Sequence, residues 1–316
     1  MELSLRLVRQ VRPAVEARTR RTAMRRSHPA ERLAGARVWL KLECDQVTGS
    51  FKVRGPLALR ACSEDARPWV TASAGNHGLG VAYALCGRGR PPRVFVPRTA
   101  PEVKRQAITA LDAEIRVVDT SSYDETEAEA RRWAAETGAR FVSPFDDEII
   151  MAGNGGTLGL EILEQLPDLG SVLVPVGGGG LCSGLACVIR ALRPSTRIIG
   201  VQSEATPAMY ESFRRGAAVT RHAGRPTLAE GLDGGVSTRS YEYAKRWLDD
   251  MRLVSESAIA DAMRWICRSH QVRVEGSAAV GVAALRSGDA RLPEPVCIVL
   301  TGSNVDDDTW DRIWKS

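Results

Sequence analysis

The chain has 316 residues, of which 44% are hydrophobic, and a formal net charge of +5. This length suits one large α/β unit or two lobes. No run approaches the ~20 apolar residues of a transmembrane helix, so no membrane partner is expected. Only five of the 43 basic residues are lysines. The arginines are mixed with acids along the chain rather than clustered, so no nucleic-acid partner is expected either.

The first predicted elements lie in an arginine-rich stretch, residues 6–26. Glu2 and Glu16 interrupt its positive charge and no apolar signal core follows, so a targeting segment is disfavoured. We predict a surface helix and a strand that lead into the fold.

Further along, short β-branched runs alternate with segments of helical periodicity. The predicted strands are Val38–Leu42, Trp69–Ala72, Val94–Val96, Ile115–Val118, Val172–Val176, Ile198–Val201 and Val296–Leu300. The predicted helices include Pro101–Leu111, Asp124–Thr137, Thr157–Leu166 and Ser257–His270. Such alternation is typical of an α/β fold with a parallel sheet covered on both faces.

The cysteines and histidines carry no metal-binding pattern. The seven cysteines are scattered, with no CxxC pair, and the four histidines lack metal-ligand spacing. Reduced thiols in a cytoplasmic protein are the simplest interpretation, and no metal site is predicted.

Glycine-rich polar turns follow three of the predicted strands. They are Ser73–Gly78, Gly177–Gly180 and Thr301–Asn304. Ligands of parallel sheets bind beyond the carboxyl ends of the strands. The three turns therefore predict one shared pocket.

Lys52 lies in the segment Thr48–Gly55 and has a physical reason to be reactive. Ser50 is a suitable helix N-cap, and a cation in the first turn opposes the helix dipole. The dipole thereby lowers the lysine pKa and makes the neutral amine available for a Schiff base. Because an isolated lysine is most often exposed, this interpretation depends on the neighbouring motifs.

The four successive glycines lie between a predicted strand and a predicted helix, residues 183–192. Backbone N–H groups at such a helix start suit a single phosphate. A dinucleotide is the competing ligand because Gly178 and Gly180 match part of a dinucleotide-binding fingerprint. The third glycine is displaced to Gly184, however. Alternatively, the four glycines bind no ligand and form a tight turn that lets the helix pack on the strand.

Together the motifs resemble the fold-type II pyridoxal-phosphate enzymes, specifically the threonine dehydratase and serine racemase family. The resemblance runs from about Arg21 to Asn304, and the C-terminal half is similar to dehydratases of hydroxyectoine utilisation. The motifs that carry it are Leu40–Glu43, Thr48–Gly55, Ala72–His77, Pro144–Asp147, Ala152–Thr157, Gly177–Gly180 and Val274–Ala278.

The resemblance implies a two-lobed fold like the tryptophan synthase β chain, each lobe a mostly parallel sheet flanked by helices. Residues 1–60 and 146–316 would form the large cofactor-binding domain. Residues 61–145 would form a small mobile substrate-binding domain. A homodimer is also implied.

The resemblance also implies residue roles. Lys52 would be the catalytic residue and hold pyridoxal 5'-phosphate covalently, with Asn76 on the ring oxygen and Ser303 facing the ring nitrogen. The implied cofactor-binding residues are Phe51, Lys52, Asn76, Gly177, Gly178, Gly179, Gly180, Leu181, Glu275 and Ser303. The implied substrate-binding residues are Ser73, Ala74, Gly75, Asn76 and His77.

Several positions depart from the family pattern. Ser143 replaces a histidine, Asn154 lies in a motif with an extra glycine, and Glu230 replaces an aspartate. Some members bind a divalent cation through acidic residues where this chain has Gln202 and, near it, Ala208. Metal activation is therefore not expected.

The function implied is an ammonia-lyase that converts a 3-hydroxy amino acid such as L-threonine or L-serine to a 2-oxo acid and ammonia. Lys52 would remove the α proton. A racemase is the near alternative, but it needs a second acid/base, and Ala74 occupies the position where racemases have serine. A β-replacement synthase and a catalytically silent binding protein of the same fold are two further hypotheses.

Overall fold

The computed structural model describes residues 2–63, 67–87, 89–288 and 291–315. The strands are β1 Met24–Arg26, β2 Val38–Leu42, β3 Trp69–Ala72, β4 Arg93–Pro97, β5 Glu114–Val118, β6 Arg140–Phe141, β7 Ser171–Pro175, β8 Arg197–Ser203, β9 Asp250–Val254 and β10 Val296–Leu300. The α-helices are α1 Leu5–Glu16, α2 His28–Ala34, α3 Arg54–Ala61, α4 Asn76–Leu85, α5 Glu102–Thr109, α6 Tyr123–Thr137, α7 Glu148–Met151, α8 Thr157–Gln165, α9 Gly180–Leu192, α10 Ala208–Arg215, α11 Thr238–Trp247, α12 Glu256–His270, α13 Gly276–Arg286 and α14 Asp307–Lys315.

The larger of two sheets has six strands in the order β1-β2-β10-β7-β8-β9. All neighbours are parallel except β1 and β2. Every residue of the central strands β10 and β7 is buried, because hydrophobic clusters cover both faces of the sheet. Continuous apolar strands of this kind are typical of parallel sheets.

The second sheet has four parallel strands in the order β5-β4-β3-β6. Its two hydrophobic clusters include residues of α6 on one face and of α4 and α5 on the other. The α/β fold with two helix-flanked, mostly parallel sheets is therefore confirmed. The division of the chain at residues 60 and 146, and the mobility of the smaller part, remain predictions.

The sequence located the long apolar strands well. All seven predicted strands are present, with ends that differ by at most two residues. It missed β9 and β6 because β9 is partly polar and half-buried, and β6 has only two residues. At the N-terminus, the predicted helix and strand are α1 and β1, although α1 buries four apolar residues against the core.

The motif with the extra glycine forms a π-helical turn, Ala152–Gly156, between α7 and α8. A π turn accommodates one more residue than an α turn. Asn154 in this turn accepts a hydrogen bond from the backbone N–H of Gly55 at 2.7 Å. Asn154 thus gives the π turn before α8 a direct contact with the start of α3.

A buried charge network also fixes the start of α3. The guanidinium of Arg54 donates to both oxygens of Glu43 at 2.7 Å and to Glu161 at 2.9 Å. Lys41 donates to the other oxygen of Glu161 at 2.6 Å. All four side chains are at most 3% exposed. Because the two cations match two carboxylates, the network balances its charge while it anchors the helix that follows Lys52.

The seven cysteines are free thiols. Among the described helices, none has the length and apolar character needed to cross a membrane.

Candidate active site

A cleft of about 1510 Å³ lies beyond the carboxyl ends of both sheets. It brings together the predicted residues Phe51, Lys52, Ser73, Ala74, Gly75, Asn76, His77, Gly177, Gly178, Gly179, Gly180, Leu181 and Glu275. The turns after β3, β7 and β10 meet there, as expected for parallel strands. Of the predicted site residues, Ser303 alone does not line the cleft.

Lys52 lies in a short 3₁₀ turn, Phe51–Val53, that leads into α3. The hydroxyl of Ser50 accepts a hydrogen bond from the Lys52 backbone N–H at 3.4 Å, which agrees with the predicted N-cap. The Lys52 ammonium donates to the carbonyl of Pro144 at 3.5 Å. Its enclosure by protein lowers the pKa of Lys52 to about 8, although the nearby charge of Glu275 acts in the opposite direction. The neutral amine is therefore far more populated near physiological pH than in a lysine of ordinary pKa.

The tetraglycine turn forms a bare backbone cradle at the start of α9. Gly179 has a φ of +95°, which favours glycine. A Cβ atom at position 178 would lie 2.4 Å from Cδ1 of Phe145, and one at position 180 would lie 2.8 Å from Cα of Phe145. Because side chains have no room here, the backbone N–H groups and the positive end of α9 are presented to the cleft.

Asn76, the first residue of α4, is held by two polar neighbours. Its Nδ2 donates to the two carboxylate oxygens of Glu275 at 2.9 and 3.0 Å. Its Oδ1 accepts from Asn304 at 2.7 Å. Burial raises the pKa of Glu275 to about 7, and the hydrogen bond from Asn76 opposes that shift. Asn304 was not among the site residues predicted from the sequence.

The imidazole of His77 is buried against the protein, and the predicted part of this residue in carboxylate binding stays a prediction. The imidazole is 3% exposed, and its Nε2 lies 3.1 Å from the carbonyl of Val142. Burial lowers the pKa of His77 to about 3, so the ring is neutral and Nε2 is the protonated nitrogen. Nδ1 is then only an acceptor. The backbone N–H of His77, in the first turn of α4, remains suitable for an anion.

Ser303 is placed differently from the prediction. Its hydroxyl donates to the carbonyl of Cys44 at 2.9 Å, and the side chain lines a separate, smaller cavity together with Arg25 and Arg273. Thr301 lines the cleft instead and is 2% exposed. It is the first residue beyond β10, and that position was the signal available in the sequence.

The residues where some family members bind a cation do not fit a metal here. The buried amide of Gln202 donates to the carbonyl of Thr206 at 3.4 Å and accepts from the N–H of Tyr210 at 2.9 Å. Among the described residues, no group of three His, Cys, Asp or Glu side chains could hold a metal ion. The Gln202 side chain itself braces the loop between β8 and α10.

An ion pair crosses the mouth of the cleft between the two sheets. Lys104 of α5 donates to Glu230 at 2.9 Å. Glu230 is the residue that departs from the usual aspartate. The glutamate side chain, one methylene longer than aspartate, reaches α5. The pair thereby connects the part of the molecule with the four-stranded sheet to the part with the six-stranded sheet.

Comparison with known proteins places these features in a family. The family model described as "Pyridoxal-phosphate dependent enzyme" matches residues 15–302. L-threonine ammonia-lyase of Thermotoga maritima is 41% identical, over 93% of this chain and 73% of that protein. Maize serine racemase superposes with a TM-score of 0.93 at 29% identity, covering 100% of this chain and 98% of that one. The T.th. threonine deaminase superposes with a TM-score of 0.89 at 35% identity, covering 96% and 99%.

Proposed function

The chain belongs to the family of pyridoxal-phosphate dependent enzymes, and from that premise we propose that it is an ammonia-lyase acting on L-threonine or a similar 3-hydroxy amino acid. The observation that carries this proposal is the placement of the partly buried Lys52 in one cleft with a glycine cradle suited to a phosphate. Relatives named L-threonine ammonia-lyase support the reaction class.

The cleft residues fit pyridoxal phosphate. Gly177–Gly180 would hold its phosphate through backbone N–H groups at the start of α9, while the Phe145 ring occupies the space beside Gly178. Lys52 would hold its aldehyde carbon, and Asn76 would donate to the ring oxygen. Thr301, which lines the cleft where Ser303 does not, would face the ring nitrogen. When bound, the cofactor withdraws electrons from the substrate α-carbon.

The chain's own groups would orient the substrate and move its proton. The turn from Ser73 to His77 and the first N–H groups of α4 would bind the α-carboxylate. Lys52, released as a neutral amine, would take the proton from the α-carbon. The hydroxyl group on the β-carbon then leaves as water, taking up one proton in exchange for the one that Lys52 removed. The enamine product adds one water and gives the 2-oxo acid and ammonia.

Racemisation is the second candidate, and the likeness to maize serine racemase supports it. It requires a second group able to deliver a proton to the other face of the α-carbon. Position 74 holds alanine, which lines the cleft and has no exchangeable proton. We therefore favour elimination.

We further infer a homodimer, a mobile 61–145 domain and a cytoplasmic location. These proposals rest on the family resemblance and, for the location, on the seven free thiols.

The test of the proposed function is a 2-oxo acid assay on protein reconstituted with pyridoxal phosphate, across L-threonine, L-serine and 3-hydroxyaspartate. We expect 2-oxobutanoate from L-threonine, and no product from Lys52→Ala. Lys315→Ala is the matched control because the Lys315 side chain is 78% exposed and pairs only with Asp311 of its own helix among the described residues. A colourless protein that forms no 2-oxo acid would contradict the proposal.

A further inference from the structure

Asn304 connects two segments of the cleft through one amide group. Its Nδ2 donates to the carbonyl of Thr48 at 2.8 Å and to Oδ1 of Asn76 at 2.7 Å. An amide nitrogen has two hydrogens, so both are used. One holds the loop that leads to Lys52, and the other holds the start of α4.

The side chain of Asn304 is exposed, but Gly49 restricts it on one side. Its Oδ1 lies against Gly49, where an added Cβ atom would be only 2.5 Å away. Gly49 has a φ of +70°, so this close approach is compatible with the backbone conformation. The donor group of Asn304 is therefore directed at Asn76 by packing as well as by hydrogen bonds.

The contacts of Asn76 depend on which way its own amide faces. Oxygen and nitrogen exchange places when the group rotates by half a turn, and only the surrounding network selects between the two. Asn304 offers a donor on one side, and Glu275 offers two acceptor oxygens on the other. The near-equal distances to the Glu275 oxygens fit one N–H directed between them, which leaves the second N–H for the cleft.

We propose that Asn304 is a positioning residue that fixes the Asn76 amide so that its N–H, and not its oxygen, faces the ring oxygen of the cofactor. This inference rests on the proposed placement of pyridoxal phosphate beside Lys52. A positioning role requires that residue 304 donate a hydrogen bond to Asn76. A packing role would require only a side chain of the same size.

The two roles are separated by Asn304→Asp and Asn304→Ala. Aspartate keeps the shape but offers acceptors to Asn76, so it favours the reversed amide. Alanine removes the side chain and leaves Glu275 to select the original orientation. We measure the dissociation constant of pyridoxal phosphate from the apo protein by absorbance titration, together with the melting temperature of each apo protein.

We expect Asn304→Asp to weaken cofactor binding by roughly tenfold or more, the scale of one hydrogen bond to a charged group, and Asn304→Ala to weaken it less. A packing role predicts the opposite order. If wild type binds and Asn304→Asp binds equally well, this inference fails while the proposed function stands. If wild type binds no cofactor, the proposed function itself fails.

A second comparison uses the Asn76→Ala background. If Asn304 acts through Asn76, replacing Asn304 in the Asn76→Ala protein should change cofactor affinity little beyond the loss caused by Asn76→Ala alone. The melting temperature should still fall, because the contact with Thr48 is lost. Full additivity in affinity would overturn the inference. If Asn304→Asp does not fold, Asn304→Ala is compared in the wild-type and Asn76→Ala proteins, which tests the same dependence on Asn76.

Discussion

The ring of Phe145 lies directly over Gly178, so that a Cβ atom at position 178 would be 2.4 Å from the ring carbon Cδ1. Phe145 follows β6 of the four-stranded sheet, and Gly178 follows β7 of the six-stranded sheet. The glycine cradle is therefore covered by the opposite part of the molecule.

Gly178→Ala should displace this cradle and weaken pyridoxal phosphate binding by roughly tenfold, the scale of one charge-assisted hydrogen bond. The measurement is a cofactor titration of the apo protein. Adding Phe145→Ala should restore part of the affinity, because the nearest atoms to the added methyl belong to the Phe145 ring. If the double variant recovered no affinity, the steric clash with the Phe145 ring would not be the cause of the weaker binding.

Thr301→Val and Ser303→Ala form a matched pair, since each removes one hydroxyl. Thr301→Val should change the visible absorbance of the bound cofactor and lower lyase turnover. Ser303→Ala should leave the spectrum unchanged and lower the free energy of unfolding by about 1 kcal/mol through loss of the bond to Cys44. Absorbance scans and urea unfolding check both. If Ser303→Ala changed the spectrum and Thr301→Val did not, Ser303 would be the residue that faces the ring nitrogen.

The rate at which apo protein captures pyridoxal phosphate should follow the neutral fraction of Lys52. Because the pKa of Lys52 is lowered to about 8, the rate should rise by roughly tenfold per pH unit below that value and level off above it. Stopped-flow absorbance measures it. The charge of Glu275 raises the Lys52 pKa, so Glu275→Gln should move the inflection to lower pH. An unmoved inflection would contradict this coupling.

Arg54→Met should destabilise the fold by about 3–5 kcal/mol, because it leaves Glu43 buried without its salt-bridge partner and leaves Glu161 with Lys41 alone. Urea unfolding of the apo protein measures the effect. The control is Arg98→Met, which breaks an exposed pair with Asp119 and should cost at most about 1 kcal/mol. Equal losses in the two variants would show that the buried network has no special role.

Ala74→Ser should increase racemisation relative to elimination by at least roughly tenfold, since it supplies a hydroxyl that can carry a proton. Chiral chromatography of L-serine incubations gives the D-serine formed per 2-oxo acid. Ala74→Gly is the control, because it changes the same position without adding a proton donor. An unchanged ratio in Ala74→Ser would mean that a hydroxyl at position 74 does not deliver a proton to the other face of the α-carbon.

The sequence by itself determined the α/β fold and the family, and it predicted that Lys52 and the glycine turn share one cleft. These features are local: apolar strands are buried on both faces, and a strand, a glycine turn and a helix are consecutive in the chain. It also correctly predicted Ser50 as the cap beside Lys52, because capping depends on neighbouring residues.

Only the tertiary structure decided which side chains face the cleft. Thr301 and Ser303 are two residues apart, and the loop containing Cys44 and Gly49 turns the second away by accepting its hydrogen bond. His77 follows Asn76 directly, yet the carbonyl of Val142, 65 residues further on, occupies its Nε2. The orientation of Asn76 depends on Glu275 and Asn304 in the same way. Partners so distant in sequence meet only after the two sheets have packed together, so local patterns carry no signal for them.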